Sequence, residues 1–211
     1  MQTSSVMHQF LVNTEFAVKN LLQLATEEEK VLKELVSRLG SVEAQFRVHK
    51  WDFETSDLND DFSDAYVMAA FGRMAKAQEE AEALRVEMAA IQVSIGTHQQ
   101  ATQAITASVL QIAKQGLSIV HGDLAAAPQG RSIGSLPIRD VIWQARNQAL
   151  HFEEGSFSKP VTTLFSVLEA EQGPQFSLAN HPKQCRAKQV FVLLGWDSYE
   201  NYIADMVTLL P

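Results

Sequence analysis

The segment from Ser63 to Ile95 constrains the fold most, because it is rich in Ala, Glu, Met and Gln and contains no proline. These residue types have high helix propensity. Their apolar neighbours Leu84, Met88 and Ile91 recur three or four positions apart, which is the spacing of one face of a helix. The segment therefore predicts a single helix about 45 Å long.

A second long helix is predicted directly after the first. Gly96 and Thr97 provide a break and a new N-cap, and another apolar stripe follows and ends near Gly122. The stripe consists of Ala101, Ile105, Val109, Ile112, Gly116 and Ile119. Small residues on facing stripes favour close packing, so the two segments are predicted to form an antiparallel helical hairpin.

The rest of the chain also predicts helices rather than strands. A helix is predicted from about Ser4 to Leu39 with a stop at Gly40, followed over residues 40–63 by a loop held by aromatic side chains. A second loop, over residues 123–137, precedes the remaining helices. Those helices are predicted over residues 138–155, from Ser158 to a stop at Gly173, and over residues 182–194 and 198–210.

These patterns contain no internal repeat and no alternating strand pattern of useful length. They predict an all-α fold, a helical bundle with a long antiparallel helical hairpin. The simplest organisation is one domain over residues 1–211, with residues 1–55 as an N-terminal helical extension and residues 60–211 as the bundle.

Composition limits the classes of partner. The chain has 211 residues and a formal net charge of −8, so its average field repels polyanions, and any contact with nucleic acid has to be local. The single cysteine, Cys185, fits a reducing compartment. The N-terminus lacks a secretory signal pattern, and the longest apolar run, residues 190–194, is too short to span a membrane. We therefore expect a cytoplasmic protein without a membrane partner.

The helix predicted over residues 138–155 has an unusual surface. At about 100° per residue, one side forms an apolar stripe that predicts burial. The stripe consists of Ile138, Val141, Ile142, Ala145, Ala149 and Phe152. The opposite side carries Trp143 and Leu150 at its centre. Arg139 and Arg146 flank them on one side, and Asp140, Asn147 and His151 flank them on the other.

Two interpretations of this surface are open. Large exposed apolar groups usually mark a contact surface, and the flanking guanidinium and imidazole groups suggest that a chemical site coincides with it. Alternatively, a second layer of helices covers Trp143 and Leu150, and Arg146 and His151 are ordinary residues at the rim.

Residues 146–151 contain an arginine, four intervening residues and a histidine, with Asn147 directly after the arginine. This resembles the R-x4-6-H motif of the HEPN superfamily, whose all-helical domains include many endoribonucleases. The resemblance covers residues from about 60 to 211, and the preceding extension matches nothing that we recognise. It implies catalytic roles for Arg146 and His151, with Asn147 in support.

The resemblance also implies partners and products. The expected activity is endonucleolytic cleavage of RNA without a metal ion or other cofactor, to leave a 2′,3′-cyclic phosphate and a 5′-hydroxyl. The expected assembly is a homodimer whose two motifs meet across the interface, with Trp143, Leu150, Arg139 and Glu154 as binding or interface residues. Family members often act as toxins or in phage defence, so a nucleotidyltransferase-type antitoxin is a possible partner.

The residue types suit this chemistry. Histidine transfers protons near neutral pH, and the guanidinium group stabilises a phosphorane-like transition state through paired hydrogen bonds. Arg146 and His151 lie about 140° apart around a helix, so their side chains diverge within one chain, and pairing between two subunits would bring them together. Glu154 lies on the motif face, where it can bind a basic partner or tune the histidine.

A different class of function remains open beside the enzyme. In this alternative the chain is a catalytically inactive helical module, and the same face binds a protein or a nucleotide. The acidic net charge favours this alternative, whereas the spacing of Arg146, Asn147 and His151 favours the nuclease.

Overall fold

The computed structural model describes residues 8–55 and 64–211. In these ranges the chain forms six α-helices, two short 3-10 helices and one pair of two-residue strands. The elements are α1 (Gln9–Thr55), α2 (Asp64–His121), β1 (Ser132–Ile133), β2 (Leu136–Pro137), α3 (Ile138–His151), a 3-10 helix (Phe152–Glu154), α4 (Lys159–Gln172), a 3-10 helix (Pro174–Phe176), α5 (Ala187–Leu194) and α6 (Tyr199–Leu209).

The chain divides into two units. One unit contains Met1–Glu28 and Ala101–Pro211, and so includes α3 to α6 together with the first part of α1 and the last part of α2. The other unit, Glu29–Gln100, contains the rest of the two long helices. The prediction of a single domain with a separate N-terminal extension stays a prediction.

The two long helices pack against each other, and their contacts show that they run antiparallel. In the unit Glu29–Gln100, Arg38 of α1 bonds to Glu87 of α2 at 2.6 Å, and His49, further along α1, bonds to Glu80, which lies earlier in α2. The prediction of an all-α fold with a long antiparallel helical hairpin is confirmed.

The position of the hairpin was predicted wrongly. The sequence placed its turn at Gly96 and Thr97, but α2 continues through both residues. The hydroxyl of Thr97 donates to the carbonyl of Val93 inside the helix at 3.2 Å instead of capping a new one. Residues on both sides of Gly96 are buried, at Ile91 and Thr102, so packing outweighs the roughly 1 kcal/mol by which one glycine weakens a helix.

The stop predicted at Gly40 is wrong for the same reason. Helix α1 runs through this glycine to Thr55, and the segment up to Thr55 is helix and not the predicted loop. Leu32 and Val42 are buried on either side of Gly40, which keeps the helix packed across the weak position. The rest of the predicted loop, residues 56–63, and the predicted helix start near Ser4 lie outside the described residues.

Predictions after residue 122 were closer to the observed elements. Glycines with positive φ follow α2, the 3-10 helix after α3, and α5, as predicted for Gly122, Gly155 and Gly195. Helices α4 and α6 also lie close to their predicted ranges. Helix α5 begins only at Ala187, because the residues from 182 to 186 form turns and irregular structure instead of a helical turn.

The loop predicted over residues 123–137 contains a feature that the sequence did not suggest. Its last part folds into a small antiparallel hairpin in which Ile133 pairs with Leu136. Gly134 occupies the turn with φ +59, a backbone conformation that residues with a Cβ atom rarely adopt. The hairpin leads directly into α3 and sets where that helix begins.

One buried carboxylate ties this loop to the C-terminal helix. Asp205 of α6 accepts two hydrogen bonds from Arg131, at 2.7 and 2.9 Å, and a third from the indole nitrogen of Trp196 at 2.8 Å. Arg131 also donates to the carbonyl of Leu194 at 2.7 Å. The fully buried Trp196 has its polar atom satisfied only through Asp205. These bonds hold the middle of the loop, the end of α5 and α6 together.

No helix in the described part of the chain combines the length and the apolar composition that crossing a membrane requires.

We predict that Asp205→Ala lowers the free energy of unfolding by about 2–3 kcal/mol, because the buried indole N–H of Trp196 loses its acceptor. Urea unfolding followed by circular dichroism measures the change. Glu200→Ala, at an exposed carboxylate of the same helix, is the control and should change it by less than about 1 kcal/mol. Equal stabilities of the two variants would contradict the anchoring role of Asp205.

Candidate functional site

Helix α3 carries the predicted site residues and is buried along one side. Ile138, Val141, Ile142 and Ala145 of the predicted stripe are buried, and Ala149 and Phe152 are partly buried against the same core. Two glutamines that the stripe did not include, Gln144 and Gln148, are buried as well. The buried face is therefore wider than the apolar pattern and includes polar side chains.

The hydrogen bonds of Gln148 allow this polar side chain to be buried on the face of α3 that packs against the core. Its side-chain nitrogen donates to the carbonyl of Gln184 at 2.8 Å, and its side-chain oxygen accepts from the backbone N–H of Arg186 at 2.9 Å. Both bonds reach the segment just before α5. They fix the rotation of α3 about its axis, and so determine which of its residues remain on the surface.

The two large apolar residues of the opposite face differ in exposure. Leu150 is 57% exposed, as expected for a contact surface. Trp143 is only partly exposed, packs against the core, and has the ammonium group of Lys114 lying 4.3 Å from its ring centroid. The expected exposure is thus found at Leu150, whereas Trp143 fits the interpretation in which a second helix, α2, covers the ring.

Arg146 is partly buried and is held by neutral amide groups. Its Nε donates to the side-chain oxygen of Gln111 on α2, and its Nη1 lies 3.4 Å from the side-chain oxygen of Asn147. Asn147 in turn donates to Gln144 at 3.3 Å. The guanidinium group is therefore oriented from two helices while its charge stays uncompensated by these neighbours.

His151 lies at the end of α3 on an exposed surface. Its side chain is 49% exposed, and its Nδ1 lies 2.6 Å from a carboxylate oxygen of Glu154 in the 3-10 helix that follows. An ionised carboxylate only accepts hydrogen bonds, so Nδ1 carries the hydrogen in this contact. In the neutral imidazole, Nε2 is then the proton acceptor. The pairing arises because the 3-10 turn brings residue 154 back beside residue 151.

The structure brings Arg146 and Asn147 together but does not join them to His151. Within the described part of one chain, no hydrogen bond links the imidazole of His151 to either residue. Each side chain is instead held by other neighbours.

Arg139, the second arginine of the predicted face, contacts its own chain. Its Nη1 donates to the backbone carbonyls of Ala125 and Ala127, and its Nε lies 3.4 Å from Asp140. These contacts fasten the loop that precedes α3. The interface role of Arg139 stays a prediction, and its Nη1 group serves this loop.

Lys114 is a member of this surface that the sequence analysis missed. Its side chain lies on α2 over Trp143, and burial together with the nearby positive charge of Arg146 lowers the pKa of its ammonium group. A signal was available in the sequence, because Lys114 is the only Lys, Arg, Asp or Glu residue in the range 101–120. An isolated charge on an otherwise uncharged helix segment is a reason to examine what it faces.

A cavity of about 460 Å³ lies beside α3, with Asp140, Gln144 and Lys159 among its lining residues. Gln144 connects the wall of this cavity to Asn147 through their hydrogen bond. Among the described residues, no group of three or more His, Cys, Asp or Glu side chains is placed to hold a metal ion. No protein-family model, curated protein or solved structure matches the chain.

We predict that Gln148→Met lowers the free energy of unfolding by about 2–4 kcal/mol, because the buried groups of Gln184 and Arg186 lose their partners. Gln115→Met, at an exposed position of α2, is the matched control and should be close to neutral. Chemical denaturation of both variants measures the difference. A neutral Gln148→Met would mean that these bonds do not fix α3.

Proposed function

We propose that the chain is an endoribonuclease of the HEPN type that cleaves RNA without a metal ion at sites shared between two copies of the protein. In each site, Arg146 of one copy and His151 of the other act on the same phosphodiester bond. The observation that carries the proposal is that one helix presents an oriented guanidinium group and, separately, an exposed imidazole paired with a carboxylate.

The proposed reaction uses the 2′-hydroxyl of the RNA as the nucleophile. Nε2 of His151 accepts the proton of this hydroxyl while the 2′ oxygen forms a bond to phosphorus and the bond from phosphorus to the 5′ oxygen breaks. The departing 5′ oxygen takes up a proton from water, which gives a 2′,3′-cyclic phosphate and a 5′-hydroxyl, and the imidazolium ion of His151 then returns its proton to the solvent. Arg146 stabilises the negative charge that develops on the non-bridging phosphate oxygens.

Glu154 has a supporting role in this proposal. By accepting a hydrogen bond from Nδ1, its carboxylate holds the imidazole in the orientation and tautomer that expose a basic Nε2, and it stabilises the imidazolium ion formed after proton transfer. Asn147 supports the other half of the site, because its side chain helps to orient Arg146.

The geometry of one helix supports a site that is shared between two copies. Side chains five positions apart point about 140° away from each other, and Arg146 and His151 share no hydrogen bond within the described chain. The exposed Leu150 lies next to His151 and provides apolar area for contact with a second copy. A twofold axis near Leu150 would place each imidazole close to the partner's guanidinium.

We extend the proposal to the cellular role of this activity. An endoribonuclease of this type fits a toxin or phage-defence effector in the cytoplasm, kept inactive by a partner such as a nucleotidyltransferase-type antitoxin. Trp143, Arg139 and Glu154 would contribute to the surface that the second copy or the antitoxin contacts.

We predict that the wild-type protein cuts RNA in EDTA, and that His151→Ala and Arg146→Ala each reduce the rate by about 10²–10⁴-fold, because each removes a group that acts only in the transition state. Gel analysis of end-labelled RNA measures the rates. His181→Ala, outside the motif, is the control and should cut at the wild-type rate.

Mixing the two inactive variants tests the shared site. Random exchange of subunits makes about half of the dimers mixed, and each mixed dimer contains one intact pair of Arg146 and His151, so about a quarter of the wild-type activity should return. Recovery would not occur if both residues acted within one chain. Absence of cutting by the wild type would rule out the nuclease.

We predict that Glu154→Gln reduces the cleavage rate at least about tenfold while RNA binding is retained, because the neutral amide no longer stabilises the imidazolium ion. Glu153→Gln removes an adjacent exposed carboxylate with no hydrogen bond to His151 and is the matched control. Single-turnover rates across neutral pH measure the effect. Identical rates for the two variants would remove Glu154 from the mechanism.

A binding module is the second candidate, and the formal net charge of −8 favours it. In this candidate the face around Leu150 binds a protein or a nucleotide and no bond is broken. It is distinguished from the nuclease by a wild-type protein that forms a stable complex through this face and leaves RNA intact.

A further inference from the structure

Two positively charged side chains from different helices lie close together on this surface. Lys114 of α2 places its ammonium group 4.3 Å from the ring centroid of Trp143 on α3. One turn away on each helix, Gln111 of α2 accepts a hydrogen bond from Nε of Arg146 on α3. Burial, together with the charge of Arg146, lowers the pKa of Lys114. Three residues from two helices are therefore arranged around one position on the surface.

Neither cation has an acidic partner. Among the described residues, no carboxylate forms an ion pair with Lys114 or Arg146, and the segment of α2 over residues 101–120 contains no Asp or Glu. The hydrogen-bond partners of Arg146 are the neutral amides of Gln111 and Asn147. Neighbouring like charges destabilise each other, and a bound anion would offset this repulsion.

Other exposed cations of the two long helices differ from Lys114 and Arg146 in their ion pairing. Acidic residues outnumber basic ones by 25 to 17, and most exposed cations of the long helices have a carboxylate within reach, as Lys19 has Glu15 and Arg38 has Glu87. Lys114 and Arg146 therefore differ from most exposed cations of the long helices, in a chain whose net charge is negative.

We propose that Lys114 and Arg146 together bind one phosphate group of the RNA backbone, and that Lys114 is a phosphate-binding residue of the site. The inference rests on the proposed function for the identity of the ligand as RNA. Lys114 comes from a different helix than the motif, so no pattern within residues 146–151 includes it.

The hydrogen-bonding groups fit this role. Gln111 occupies Nε of Arg146 and Asn147 lies near Nη1, so in the described chain Nη2 has no protein acceptor and is available to a phosphate oxygen. The ammonium group of Lys114 rests on the ring of Trp143 and has no protein acceptor among the described residues either. Both groups can donate to the same phosphate, while the ring limits where the lysine can move.

The test is binding of a short 2′-O-methyl RNA, which the proposed nuclease cannot cut because the attacking hydroxyl is blocked. Fluorescence anisotropy over a series of NaCl concentrations compares the wild type with Lys114→Gln, Lys114→Arg and Lys33→Gln. Lys33 is an exposed lysine of α1 far along the chain from the site, and its substitution makes the same change in charge.

We expect Lys114→Gln to weaken binding about tenfold and to reduce the slope of log K against log salt concentration by about one. Lys114→Arg should stay close to the wild type, and Lys33→Gln should match it within about twofold. Circular dichroism and urea unfolding show whether Lys114→Gln remains folded. If it does not, the wild type and Lys114→Arg are compared after all lysines have been acetylated. Acetylation then removes the charge at position 114 from the wild type but not from the variant, so the variant should bind the RNA more tightly.

The outcomes separate this inference from the proposed function. RNA binding that depends on Lys114, in a protein that does not cut unmodified RNA, supports the phosphate site and rejects the nuclease. Cutting by the wild type with equal RNA binding by Lys114→Gln and Lys33→Gln supports the nuclease and overturns the inference. A wild type that does not bind the 2′-O-methyl RNA also overturns the inference.

Discussion

The rotation of α3 about its axis is the constraint on which the proposed site depends. The apolar stripe alone allows some freedom, but the two hydrogen bonds of Gln148 to the segment before α5 select one rotation. In that rotation Gln148 is fully buried and Leu150 and His151 stay on the surface. A rotation by one position, about 100°, would move Arg146 away from Gln111 and turn a different set of residues toward solvent.

The electrostatics of the surface differ between its two halves. Around Arg146 the neighbours are amides, an aromatic ring and a second cation, so the positive charge is available to an anion. Around His151 the neighbour is the carboxylate of Glu154, which accepts a hydrogen bond from Nδ1 and repels a phosphate group. One half is therefore suited to binding an anion, and the other to the proton transfer of the proposed reaction.

Helix ends were predictable where a glycine adopts positive φ, as after α2 and α5, because few other residues tolerate that conformation. Glycines inside a packed helix did not mark helix ends. Gly40 and Gly96 weaken a helix by only about 1 kcal/mol each, and burial of the residues around them outweighs this. The sequence therefore indicated two long helices in the wrong places, and it divided α2 into the two arms of a hairpin that α1 and α2 form together.

The sequence by itself determined that the chain is helical, that α3 has a buried apolar face, and that an arginine, an asparagine and a histidine lie on one helix, since these properties depend on local propensity and spacing. Only the tertiary structure decided which neighbours those residues have. Lys114, Gln111 and Gln148 contact their partners across 29 to 38 positions of the chain, and no local pattern encodes such pairs. Contacts between distant residues arise from packing of whole helices, which is why the sequence indicated the motif but not its surroundings.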